Sequence, residues 1–236
     1  GSTAMGYEHE LVLKMNPNTI ADSLTKGSGG YSLPGWEPER FPEMAADIEF
    51  YRTMDVDTYW RNIKYFLDAL MPYAEQYDMN FAIHPDDPPW PLYGLPKVIT
   101  CADTMRRFLA LNDSPRNGLT FCTGSIAANP ANDIPAMIRE FGGMGRIHFA
   151  HLRNIRHTSQ KDFHETAHPS CCGDLDMYEI VRALVESGFD GYIRPDHGRT
   201  IWDEKARPGY GLYDRALGAT YLLGLWEAVT KNRLAR

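Results

Sequence analysis

Four side chains of this sequence could share one transition-metal ion: His84, Cys122, His151 and Asp196. Two imidazoles, a thiolate and a carboxylate make a donor set of intermediate softness. It suits a first-row transition metal and excludes calcium and magnesium, which take oxygen ligands. A divalent ion bound there would leave a formal charge near zero. The four positions stand roughly 30 to 45 residues apart, too far for a finger-type loop and close to the length of one βα unit. Taken singly, each has a plainer explanation. A histidine at a strand end is often only hydrogen bonded, and an isolated cysteine is more often a small buried hydrophobe than a ligand. Their shared position argues for ligation, because each stands at or just past the tip of an expected strand, in Ile83-His84, Phe121-Cys122, Ala150-His151 and Pro195-Asp196.

Other reactive groups crowd the same strand ends. His197 directly follows Asp196, and an imidazole titrates near neutrality, which makes it the natural general acid or base beside a metal-held substrate. Arg153 and Asn154, just beyond His151, could grip a substrate carboxylate through a charge-assisted fork; Arg153 could equally pair with Asp86 or Asp87. The polar stretch 157–173 holds His164, Glu165 and His168, and its length suits a loop that covers a site and excludes water. His168 is the expected substrate contact there. Cys171 and Cys172 read as ordinary loop thiols rather than a redox element, because a disulfide between neighbours is strained. His9, His148 and Cys101 read as structural, and strand alternation turns His148 to the face opposite its neighbours.

The elements that must position these groups follow from hydrophobic periodicity. Trp60, Ile63, Leu67, Leu70 and Ala74 form one apolar stripe of a helix beginning at 57. A short apolar run, 79–83, then enters a rigid loop that starts at His84 and carries Pro85, Pro88 and Pro89. Helix is expected over 102–111, strand over 119–121, and helix over 134–141 with Pro135 in its first turn. Strand 146–150 is followed by the polar loop, a helix over 176–187 capped by Asp176 and stopped at Gly188, and strand 192–194. A closing helix over 213–229 carries Leu217, Tyr221, Leu225 and Trp226 on one side. Consecutive βα units imply a parallel sheet in one α/β domain over 1–236, with active-site groups beyond the C-terminal strand ends.

Composition narrows the class. The chain has 236 residues, 43% of them apolar, enough for a full core. A net charge of -7 without any basic run argues against nucleic acid as a partner. No stretch nears the roughly 20 apolar residues of a membrane helix, so no membrane partner and a cytoplasmic location are expected. Four cysteines without paired spacing indicate reduced thiols. Residues 1–6 could be a tag remnant, and 16–42, rich in Pro, Gly and Ser, reads as an irregular loop.

The stretches Ala82-Ile83-His84-Pro85-Asp86-Asp87-Pro88-Pro89, Thr120-Phe121-Cys122-Thr123-Gly124-Ser125, His148-Phe149-Ala150-His151-Leu152-Arg153-Asn154 and Arg194-Pro195-Asp196-His197-Gly198-Arg199 together resemble the mannonate dehydratase family. The resemblance implies a hydro-lyase of the xylose-isomerase-like group, converting D-mannonate to 2-keto-3-deoxy-D-gluconate in hexuronate catabolism. It implies a (β/α)8 TIM-barrel fold, of which this chain supplies mainly the last four βα units. Even residues 1–5 resemble interior family sequence, against their reading as a tag. The implied ligands are His84, Cys122, His151 and Asp196, for Mn2+ or Fe2+, with Zn2+ an alternative occupant because a thiolate favours zinc or ferrous iron over manganese. The implied catalytic pair is His197 and Tyr210, with Tyr213 competing for the second role. Uncovered sheet edges and the apolar closing helix point to a homo-oligomer acting on a small sugar acid. The alternatives are another metal-dependent sugar isomerase or lyase on the same barrel, and an incomplete, non-catalytic metal-binding fragment.

Overall fold

A computed structural model of the chain describes residues 3–14, 41–206 and 209–234. The irregular loop expected over 16–42 lies outside the described residues, except for its last two positions, which open a helix. In chain order the elements are β1 (Gly6–Tyr7), α1 (His9–Lys14), α2 (Phe41–Arg52), α3 (Val56–Gln76), β2 (Phe81–Ile83), α4 (Ala102–Leu111), β3 (Asn117–Cys122) and α5 (Thr123–Ala127). Then follow α6 (Ile134–Gly143), β4 (Ile147–His151), β5 (Ile155–His157), β6 (Phe163–Glu165), a 3-10 turn at Ser170–Cys172, α7 (Met177–Glu186), β7 (Tyr192–Arg194) and α8 (Leu212–Leu234). Among the described residues, no helix is long and apolar enough to cross a membrane.

The expected parallel sheet is present, ordered β2-β3-β4-β7 with every pair parallel. Helices are started by local chemistry. Asp55 accepts the Thr58 N–H at 2.7 Å at the head of α3, Asp133 accepts Ala136 N–H at 3.0 Å at α6, and Asp176 accepts both Tyr178 and Glu179 N–H at α7. The core holds Leu67 and Met71 of α3, Phe108 of α4, Phe121 of β3, Ile138 and Phe141 of α6 and Leu184 of α7. Each such buried side chain contributes about 1.5–3 kcal/mol. All of β3 is buried, as befits an interior strand, and this rigid centre carries Cys122 at its end.

The structure departs from the expected loop at 157–173. β5 and β6 pair antiparallel there, and the N-terminal β1 adds to β6, making a second sheet ordered β1-β6-β5. Three-residue strands are too short to show a period. They are held by packing, with Tyr7 stacked on Phe163 at 5.5 Å and Trp90 edge-on to Tyr7 at 5.5 Å. Reading the opening residues as a tag fails from Thr3 onward. Thr3 and Thr200 exchange backbone hydrogen bonds of 3.1 Å, and Glu165 N–H donates to the Met5 carbonyl at 2.8 Å. His9 and His148 have structural partners: Nδ1 of His9 lies 2.8 Å from the Tyr7 hydroxyl, and Nδ1 of His148 lies 2.9 Å from the Phe81 carbonyl. The β3–β4 register breaks between Leu119 and Thr120, so simple alternation does not assign the face of His148.

Candidate metal and active site

Parallel pairing brings the strand ends to one place. Cys122 and His151 are register partners across β3 and β4, His84 follows the last residue of β2, and Asp196 stands two residues beyond β7. The ligand atoms of His84, Cys122 and His151 all lie within 4.8 Å of one another. Asp196 closes the group, its Oδ1 3.4 Å from His151 Nδ1 and its Oδ2 3.5 Å from Cys122 Sγ. Ligand bonds of about 2.0–2.3 Å would set tetrahedral donors about 3.3–3.8 Å apart, so the group needs only a slight contraction around an ion.

Two details fit a metal rather than a plain polar cluster. His84 Nδ1 lies 2.7 Å from the Pro85 carbonyl; a carbonyl only accepts, so Nδ1 carries the proton and Nε2 keeps its lone pair for a ligand bond. Both ring nitrogens of His151 are buried without a hydrogen bond, which is costly unless something else satisfies them. The thiol is tuned toward the ligating form. Burial alone would raise the Cys122 pKa, but the Arg153 charge and the imidazoles of His151 and His84 prevail and lower it to about 6. Ser125 Oγ also donates to Sγ at 3.0 Å.

Asp196 is presented by a left-handed backbone with φ of 63°, uncommon outside glycine. Three neighbours hold it: Arg194 Nη2 at 3.4 Å, Arg153 Nε at 3.3 Å, and His168, whose Nε2 donates to the preceding Pro195 carbonyl at 2.7 Å. Burial raises the carboxyl pKa, but His197, Arg153, His151 and Arg194 outweigh it, so Asp196 stays ionised below the usual range.

Arg153 is the buried hub. Its guanidinium pairs with Glu165 through Nη1 and with Asp87 through Nη2, and Nη2 also donates to Ser125 Oγ at 3.0 Å. Thr123 clamps its backbone, accepting Arg153 N–H at 3.0 Å and donating to its carbonyl at 2.7 Å. A Cβ at Gly124 would stand 2.4 Å from Arg153 Nε, so only glycine leaves room for this side chain. The fork is thus filled by protein carboxylates, and of the two options open in the sequence the structure shows pairing with Asp87.

His197 joins the hub through Glu165, whose Oε1 accepts from Nδ1 at 2.5 Å; Nε2 is left toward Asp196, 3.9 Å from Oδ1. Burial alone would lower the His197 pKa, but Glu165 overrides it and raises it. The Tyr210 ring lies 5.7 Å from the His197 ring, whereas Tyr213 packs 5.7 Å from Trp202. Of the two tyrosines, the fold brings Tyr210 beside the histidine.

Asn154 and His168 sit differently from the substrate contacts expected of them. Asn154 is fully buried and its amide is spent on the chain: Nδ2 donates to the Pro169 carbonyl at 3.1 Å, and Oδ1 accepts Leu175 N–H at 3.1 Å. His168 is 2% exposed and supports the Pro195-Asp196 turn rather than facing the metal group. Glu165, which ties Arg153 to His197, had no assigned role in the sequence, whereas Asp87 was one of the partners open to Arg153 there. Glu165 offered one signal, an acid one alternation step from the apolar Phe163. The contact of His168 with α8 is testable. A Cβ at Gly218 would stand 2.4 Å from His168 Nδ1, while one at Gly224 in the same helix meets nothing within 4 Å. Gly224→Ala is expected to stabilise by up to about 1 kcal/mol through helix propensity, and Gly218→Ala to destabilise by about 1–3 kcal/mol through overpacking. Urea unfolding of both variants checks this; equal stabilisation would mean that His168 does not lie against α8.

The family model described as D-mannonate dehydratase (UxuA) matches residues 1–236. Mannonate dehydratase of Thermotoga maritima is 54% identical over 233 residues, 99% of this chain and 65% of that protein. The Geobacillus thermodenitrificans enzyme is 47% identical over 236 residues, 100% of this chain and 64% of its own length. The chain therefore spans just under two thirds of these relatives. The crystal structure of mannonate dehydratase from Streptococcus suis serotype 2 superposes with a TM-score of 0.77 at 47% identity, covering 80% of this chain and 54% of that one. A D-tagatose 3-epimerase-like protein, at TM-score 0.55 and 15% identity, shares the fold alone. Matched along its whole length, with histidine, cysteine and aspartate converging at its parallel strand ends, the chain belongs to the D-mannonate dehydratase (UxuA) family.

Proposed function

We propose that this chain carries the metal-binding and proton-transferring part of an enzyme that dehydrates D-mannonate to 2-keto-3-deoxy-D-gluconate, in the cytoplasm and as a homo-oligomer. The convergence of His84, Cys122, His151 and Asp196 beside His197 carries this reading. The four would hold one divalent ion, Mn2+ or Fe2+ by family likeness, with Zn2+ also compatible with the thiolate. When bound, such an ion supplies Lewis acidity that steadies charge developing on the substrate carboxylate.

The remaining chemistry falls to the chain. Dehydration removes the weakly acidic proton beside the carboxylate and protonates the departing hydroxyl, so it needs a base and an acid on one substrate. His197 and Tyr210 form that pair. Glu165 fixes the His197 tautomer with Nε2 as the exchanging atom and favours the protonated ring, which suits the proton-donating half. Arg153 neutralises the carboxylates behind the site, while His168 positions the turn that presents Asp196 and Asn154 holds the 169–175 segment that follows His168. In this reading the parallel sheet is the second half of a (β/α)8 barrel. Among the described residues β2 pairs only with β3 and β7 only with β4. An apolar groove beside β2, lined by Tyr51, Met54, Tyr59, Phe66, Phe81 and Ile83, suits a preceding βα unit. The open edges also favour a second reading, an incomplete metal-binding fragment inactive by itself.

An assay of 2-keto-3-deoxy-D-gluconate from D-mannonate with added Mn2+ separates the two readings. Turnover by the parent, reduced about 100-fold or more in Tyr210→Phe and left near parent level in Tyr213→Phe, is expected of the enzyme. Metal binding without turnover by the parent would favour the fragment.

A further inference from the structure

The adjacent cysteines in the turn before α7 play no part in the chemistry above. Cys171 is exposed, Cys172 half-buried, and their sulfurs lie 3.9 Å apart as free thiols. The turn is braced on three sides. Cys172 N–H donates to the Pro169 carbonyl at 2.9 Å, Asn154 Nδ2 donates to the same carbonyl at 3.1 Å, and Ser170 Oγ accepts Met177 N–H at 2.9 Å. Two accessible sulfurs are thereby held as neighbours before any ligand arrives, which lowers the entropic cost of a two-point contact. Burial and the neighbouring Cys171 raise the Cys172 pKa, so that thiol keeps its proton and is a poor nucleophile toward simple alkylators.

From the paired and braced sulfurs, one exposed and one half-buried, we propose that Cys171 and Cys172 form a chelating dithiol that binds a trivalent organoarsenical through both sulfurs, at a site sharing no residue with the His84, Cys122 and His151 group. The step needs no oxidant. An arsenoxide R–As=O exchanges its arsenic–oxygen bond for two arsenic–sulfur bonds, and the oxygen leaves as water with the two thiol protons. Arsenic stays trivalent and neither cysteine is oxidised. The two-sulfur grip distinguishes this site from the isolated thiols of Cys101 and Cys122.

The test is phenylarsine oxide added to the intact chain in excess glutathione, read by native mass spectrometry, with Cys171→Ser, Cys172→Ser and Cys122→Ala in parallel. The parent is expected to retain one equivalent against glutathione and release it to dithiothreitol. Each serine variant should bind at least about 100-fold more weakly, because the second sulfur no longer adds its effective concentration. Cys122→Ala should bind as the parent does. Retention in both serine variants, or loss in Cys122→Ala alone, overturns the proposal. Peptide mapping of the parent, alkylated at a pH high enough to ionise Cys172, guards against a variant that fails to fold: the arsenical should shield Cys171 and Cys172 together from iodoacetamide, and shielding of neither also overturns it.

Discussion

Replacing Cys122 with alanine is expected to abolish stoichiometric binding of a divalent ion while leaving the chain folded. Cys122 is the fully buried centre of the group, between the imidazoles of His84 and His151 and the Asp196 carboxylate. It is also the only thiolate there, and its low pKa makes it a ligand at neutral pH without further deprotonation. Losing a group that merely orients a ligand costs about 10–100-fold in metal affinity, so losing a ligand itself should cost at least about 100-fold. Metal analysis after equilibrium dialysis gives the stoichiometry. A thermal melt gives an independent readout, because an ion at about 100 times its Kd stabilises the folded chain by about 2.7 kcal/mol. That increment should be present in the parent and absent from Cys122→Ala. A variant that still takes up one equivalent with parental affinity would place the metal elsewhere.

Arg153→Met should give the largest loss of intrinsic stability. The side chain is 4% exposed and holds Asp87, Glu165 and Asp196 around one positive charge. Methionine fills similar volume but leaves three carboxylates facing one another. Breaking a buried pair in this way costs about 3–5 kcal/mol, or roughly 10 °C in melting temperature for a chain of this size. Lysine should recover only part of this loss, because a point charge cannot reproduce the planar fork.

The pH dependence has a definite sign. The folded Asp196 carboxyl titrates below its ordinary value, partly because of Arg153, so its contribution is present above the unfolded pKa and is lost as pH falls through the folded one. In the variant that depression is weaker. The gap between parent and Arg153→Met should therefore be widest near neutrality and narrow as pH drops into the carboxylate range. Urea melts of metal-free protein at about pH 7 and about pH 3 would show it; a gap that widens on acidification would mean that the carboxylates are not what Arg153 stabilises.

Some of this architecture can be read from local pattern and some cannot. The stripe Trp60, Leu67, Ala74 and the buried run of β3 identify their elements because periodicity and burial act within a few residues. In consecutive βα units the strand tips share one end of the sheet, so His84, Cys122 and His151 can be grouped once the strands are placed. The β5–β6 pair left no such trace. Three-residue strands gain their stability from β1, Trp90 and the Tyr7–Phe163 stack, which are distant in sequence.

The roles of the surrounding polar residues divide in the same way. Residue type alone makes Arg153, Asn154 and His168 eligible to touch a substrate, and nothing local shows that Arg153 is paired with carboxylates, that the Asn154 amide is spent on the chain, or that His168 Nε2 holds the Pro195 carbonyl. Glu165 becomes the partner of His197 only because the β6 pairing carries it across to the β7 end. By itself the sequence determined the alternation of strands and helices and the donor types waiting at the strand ends, since both follow from short-range hydrophobic period and side-chain chemistry. Only the tertiary structure decided which tyrosine stands beside His197, which carboxylates occupy Arg153, and that His168 braces Asp196. Those contacts pair groups far apart along the chain, and the burial of the whole core, not any local preference, holds them together.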